Sequence, residues 1–148
     1  MDPLGALGAV ATLVALATGT GLLWRRLQSK VDSPATEVRI PRSILDSSAT
    51  LNLVQISAPL CSYCSAMRGI LETVSSRISR VEHVDYDVSE VPDLVEDLHI
   101  RQTPTVFLTS VDGEVLSTLR GAIPAAVVEQ EVTRALETLK RRADDYRI

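Results

Sequence analysis

Leu51-Asn-Leu-Val-Gln-Ile-Ser57-Ala-Pro-Leu-Cys61-Ser-Tyr-Cys64 is the stretch on which the fold turns. Leu51 to Ile56 is short, apolar and bounded by turn residues, as a buried strand is. Behind it Met67, Ile70, Leu71, Val74 and Ile78 recur at helical spacing, so a helix starting near Cys61 is expected to run to about Arg80. A strand that ends where a helix begins presents unpaired N–H groups and the positive end of the helix dipole to the first sulfur, which favours thiolate over thiol. Cys61 is the candidate nucleophile. Cys64, placed by this reading about one turn into the helix, can attack a mixed disulfide on Cys61 and is the candidate resolving thiol.

Working outward, a polar stretch from Gln28 to Thr36 reads as a linker, followed by an edge strand near Glu37 to Ile40 and a short helix around Arg42 to Ser47. After the cysteine helix come a strand at His83 to Val88, a brief helix within Val91 to Leu98 and a strand at Thr105 to Thr109. Val111-Asp112-Gly113-Glu114 supplies a glycine where a tight turn wants positive φ, and Glu114 to Leu119 returns as the hairpin partner. Pro124 opens a last helix whose Val128, Val132, Ala135, Leu136 and Leu139 share one face. Strands alternating with helices, closed by a hairpin and a helix, imply an α/β fold with a mixed central sheet flanked by helices.

The N-terminus reads differently. Leu4 to Leu23 carries no charge, and at about 1.5 Å per residue a helix of that length spans a hydrocarbon layer of about 30 Å. A signal peptide is the competing reading. Met1-Asp2-Pro3 lacks its positive n-region, however, and the apolar run exceeds an h-region of about 7 to 15 residues. Arg25, Arg26 and Lys30 follow the run and Trp24 sits at its boundary, so the positive-inside rule leaves the remainder of the chain in the cytoplasm. Ala11, Ala15 and Gly19 have the spacing that lets two helices approach, which allows a weak homodimer through this segment. The expected organisation is an anchor and basic boundary at 1–27, a linker at 28–36, a domain at 37–142 and a tail at 143–148.

Past residue 30 the chain has 12 Lys and Arg against 18 Asp and Glu, a net of −6 with no basic block, which argues against nucleic acid as a partner. Cys61 and Cys64 are the only cysteines, too few for a disulfide framework, and a cytoplasmic dithiol works in exchange or sensing. A zinc site would have to recruit His83 and His99, each with an ordinary place at a strand start and a helix end. Thr103-Pro104-Thr105 opens a strand, where proline is allowed on backbone grounds alone. The functional reading makes the Thr103–Pro104 bond cis and faces it toward Cys61, so that an extended substrate pairs along the exposed backbone.

A strand, Cys-X-X-Cys at a helix start, Thr103-Pro104-Thr105 before the next-to-last strand, a hairpin, and Gly121 before the last helix together resemble the thioredoxin family, over roughly Glu37 to Leu139. With the anchor included, the chain looks like bacterial membrane-tethered thioredoxin-like proteins. The resemblance implies a redox pair at Cys61 and Cys64, a substrate-facing surface at Leu60, Thr103, Pro104 and Gly121, no bound cofactor and no metal. Its partners would be protein disulfides and an upstream thiol donor. Departures accompany it: Leu60 stands where the family usually has tryptophan, Ser62-Tyr63 where it has Gly-Pro, and Gln55 where it has a buried carboxylate.

An amide cannot take a proton from Cys64. His83, where the family commonly has a lysine, is the candidate to substitute for Gln55 in proton transfer, and a half-exposed strand histidine is the competing reading. Ser-Tyr between the cysteines is also similar to glutaredoxins. Gln55 to Leu60 lacks that family's lysine, and Leu119-Arg-Gly-Ala-Ile123 lacks its Gly-Gly pair, so its glutathione site is not expected. The expected activity is thiol-disulfide exchange on proteins. The alternatives are the same chemistry on the extracytoplasmic side and a tethered, non-catalytic binding module.

Overall fold

The computed structural model describes residues 12–21, 30–32 and 39–146. Five strands form one mixed sheet: β1 (Lys30–Asp32), β2 (Leu51–Ser57), β3 (Val81–Asp87), β4 (Thr105–Ser110) and β5 (Val115–Arg120). Their spatial order is β1-β5-β4-β2-β3. Only β2 and β3 run parallel, and helix α1 (Cys64–Arg77) makes the crossover that a parallel pair requires. Two further helices of the domain are α2 (Pro92–Asp97) and α3 (Ala125–Asp145).

All seven residues of β2 are buried, because it lies inside the sheet and both its faces are covered. Leu51 and Leu53 on one face pack with Val106, Leu108 and Leu119 of the sheet against Met67, Leu71 and Val74 of α1 and Val128 and Val132 of α3. Val54 and Ile56 on the other face join Phe107, Val115, Ile40 and Leu94 of α2. Asn52, fully buried, ties down the loop before β2: its Oδ1 accepts from the Asp46 N–H at 2.9 Å and its Nδ2 donates to the Asp46 carbonyl at 3.2 Å.

Several boundaries differ from the sequence reading for identifiable reasons. The sheet edge beside β5 is taken by Lys30–Asp32, inside the stretch read as linker, where a short strand with flanking charges reads as polar. In the expected edge strand, residues 37 and 38 lie outside the described residues, and Arg39 makes only an isolated bridge to Glu114. A single 3-10 turn, Arg42–Ile44, replaces the short helix. Helix α1 starts at Cys64, not Cys61, and ends at Arg77, because Arg80 turns the chain at φ 63 and its carbonyl accepts from Thr50 and Leu51. β3 begins at Val81, and α3 continues through Asp145 into the stretch read as tail.

Residues 12–21 are helical, with Leu13, Val14 and Leu16 exposed. Among the described residues no helix is long and apolar enough to cross a membrane. The rest of the Leu4–Leu23 run, Trp24, the basic pair at Arg25 and Arg26, and Ala11 of the helix-pairing reading lie outside those residues.

The β4–β5 turn is as expected. Gly113 has φ 83 and its carbonyl accepts from the Ile40 N–H at 2.8 Å, while a Cβ built on it would lie 2.1 Å from the Ile40 carbonyl oxygen. Gly113→Ala should therefore lower the urea midpoint, with the left-handed backbone alone costing about 1–2 kcal/mol for a residue with a Cβ. An unchanged midpoint would contradict this role for the turn.

Candidate active site

The site forms where β2 runs out. After Ser57 the chain turns at Pro59, with the Cys61 N–H donating to the Ala58 carbonyl and the Cys64 N–H to the Cys61 carbonyl. Cys61 thus sits in the turn before α1 and Cys64 is the first helical residue. The two are joined by a disulfide, so the structure holds the pair oxidised. Cys61 is partly exposed, whereas Cys64 is 5% exposed. Leu60, at 98% exposure, and Tyr63, at 51%, stand out beside them.

Register brings the other expected residues to this end of the sheet. Thr105 pairs with Ile56 on one side and Arg120 on the other, so Pro104 falls beside the Ser57 end of β2 and Gly121 next to Pro104. The Thr103–Pro104 bond is cis, and the Gly121 N–H, at φ 80, donates to the Pro104 carbonyl at 2.8 Å.

Gln55 is fully buried behind Cys64. Its Nε2 donates to the Cys64 carbonyl at 3.0 Å and to Ser57 Oγ at 2.9 Å, and its Oε1 is buried without a hydrogen-bond partner. A carbonyl can only accept, so the amide must turn its nitrogen toward Cys64. Ser57 Oγ in turn donates to Asp85 Oδ1 at 2.6 Å, and Asp85 Oδ2 accepts from Arg68 Nε at 2.7 Å and from Arg68 Nη2. A cleft of about 380 Å³ exposes this assembly, lined by Cys61, Cys64, Ser57, Arg68, Asp85 and Glu90 among others.

Sequence reasoning missed Ser57, Arg68 and Asp85. Arg68 lies one turn after Cys64, and Asp85 follows His83 on the same strand face, but only the pairing of Gln55 with Asp85 brings them together. His83 does not line the cleft. Burial pushes its imidazole below the ordinary value, opposed by Asp85 and Glu72, and its Nε2 is buried without a partner. His99, past the end of α2, places Nδ1 2.8 Å from the Glu96 carbonyl.

A family model described as Thioredoxin matches residues 39–134. The chain belongs to the thioredoxin family. Thioredoxin-2 of Pyricularia oryzae is 35% identical over 72 residues, which make up 49% of this chain and 42% of that protein. The match thus spans less than half the length of that relative. Among solved structures, chloroplastic thioredoxin z is 32% identical with a TM-score of 0.54, over 62% of this chain and 82% of that one. The oxidised thioredoxin of Plasmodium falciparum is 26% identical with a TM-score of 0.51, over 60% of this chain and 85% of that one.

Two outcomes follow from the thioredoxin site. After reduction, iodoacetamide should modify Cys61 before Cys64, since Cys61 is partly exposed and Cys64 is buried. Equal rates would sink the assignment of roles. His83 is held neutral, with a folded-state value below the 6.5 of the free side chain, so it contributes stability above pH 6.5 that is lost as pH falls toward the folded value. His83→Gln should flatten the decline in urea midpoint below pH 6.5, and an equally steep decline would contradict the burial of that ring.

Proposed function

We propose that this chain is a membrane-tethered thiol-disulfide oxidoreductase that reduces or exchanges disulfides of other proteins, in the manner of bacterial membrane-anchored thioredoxin-like proteins. The observation that supports it best is the Cys61–Cys64 disulfide in the wall of a cleft, with Cys61 partly exposed and Cys64 buried. In the reduced form Cys61 attacks a partner disulfide and forms a mixed disulfide, releasing one partner thiol. Cys64 then attacks the Cys61 sulfur, which leaves Cys61–Cys64 oxidised and the partner as a dithiol. Electrons enter through an upstream thiol donor.

In this reading exposed Leu60, half-buried Thr103 and Gly121 and the buried cis Pro104 make up the site that receives the partner. An extended segment would pair with the backbone at Thr103 as an added strand does. The tether is read from the uncharged Leu4–Leu23 run and the basic residues after it, and the same basic residues support a cytoplasmic side for the redox domain.

Cys64→Ser should accumulate mixed disulfides with cellular proteins through Cys61, because the resolving thiol is gone, and Cys61→Ser should trap far fewer. Comparable trapping by both variants, or by neither, would refute the proposed exchange. For the tether, the full chain should stay with membranes through alkaline carbonate washing and be released when residues 1–27 are deleted. Release of the full chain would refute the anchor.

A further inference from the structure

Cys64 must lose a proton before it can attack, and the position expected to take that proton holds an amide. We propose that Asp85 is the proton acceptor for Cys64 in the resolving step, acting through solvent in the cleft that both residues line. The proposal rests on the thiol-disulfide exchange argued above.

Three observations converge on this carboxylate. Asp85 is Gln55's neighbour across the β2–β3 register, one strand away from the family's usual position. It belongs to a continuous hydrogen-bonded line that starts at Cys64 itself: Cys64 carbonyl, Gln55 Nε2, Ser57 Oγ, Asp85 Oδ1. Because Gln55 donates to Ser57 Oγ, the serine proton points at Asp85, and Arg68 holds the second oxygen, so the carboxylate is fixed in the cleft wall at 15% side-chain exposure.

The other carboxylates that line the cleft, Asp87 and Glu90, have no hydrogen-bonded link to Gln55 or Ser57. Asp87 Oδ1 accepts from the Ser89 hydroxyl and N–H, which hold its carboxyl below the usual range, and Glu90 Oε2 accepts from the Asp87 N–H. His83, behind the cleft wall, feels Asp85, Glu72 and Arg68.

The step balances as follows. The Cys64 S–H proton passes to the Asp85 carboxylate, the Cys64 thiolate attacks the Cys61 sulfur, and an S–S bond forms between them. The bond from Cys61 to the partner sulfur breaks, and the partner leaves as a thiolate that takes up a proton from Asp85 or solvent. The dithiol is oxidised by two electrons and the partner disulfide reduced by two.

Rapid mixing of the reduced full chain with a disulfide-bonded peptide separates the first attack from the resolving step. In Asp85→Asn, which keeps the side-chain shape, the resolving step should slow by about 10²-fold near neutral pH, the lower range for general-base assistance. The first attack should change much less than the resolving step. The deficit should shrink as pH rises, because hydroxide then takes the Cys64 proton directly. Asp85→Ala should show the same deficit, and added formate should recover part of the rate.

An unchanged resolving step in Asp85→Asn, or an equal loss in Glu90→Gln, would overturn the proposal. So would a deficit independent of both pH and formate. A parent protein that reduces no peptide at all would instead overturn the exchange reading itself.

Discussion

Gln55 gives up both of its amide protons inside the sheet, one to the Cys64 carbonyl and one to Ser57 Oγ, and the arrangement of the site depends on that pair of bonds. A buried amide N–H left without an acceptor costs about 1–3 kcal/mol. The first turn of α1 is therefore held against the central strand at the residue that carries the second sulfur. The same amide orients Ser57, and Ser57 orients Asp85, so one side chain without charge sets the position of a helix and of a carboxylate. A carboxylate at position 55 would face Asp85 across the register and bring two negative charges into a poorly solvated space.

The two sulfurs differ because of where the chain turns. Pro59 and the turn that follows push Leu60 into solvent and leave Cys61 outside the helix, while Cys64 begins the helix and is covered by the sheet behind it. In the proposed exchange that asymmetry would bring a partner to Cys61 first and leave Cys64 to resolve the adduct. Pro104 and Gly121 are joined by a backbone hydrogen bond at the same end of the sheet.

The elements legible in the sequence are those whose pattern is local. β2 is a compact apolar run, Gly113 marks its turn, and Val128, Val132 and Ala135 recur on one face of α3 and are buried. β1 was not legible, since three residues at a sheet edge pair with β5 whatever their polarity. Helix α1 was placed three residues early because hydrophobic spacing fixes a face better than an end. Cys61, Cys64, Pro104 and Gly121 were named from motif and order, and the register places Pro104 and Gly121 at the end of the sheet where β2 leads into the cysteine turn. Ser57, Arg68 and Asp85 depend on how β2 and β3 slide against each other, which no local pattern encodes.

The central claim is that Cys61 and Cys64 act together as a two-electron donor to disulfides. It is tested most directly by mixing the reduced full chain with a disulfide-bonded peptide, quenching with an alkylating agent and weighing both products by mass spectrometry. The account predicts that one Cys61–Cys64 disulfide appears for each peptide disulfide lost, with any transient adduct mapped to Cys61. Peptide left oxidised beside a fully alkylated Cys61 and Cys64 would contradict it.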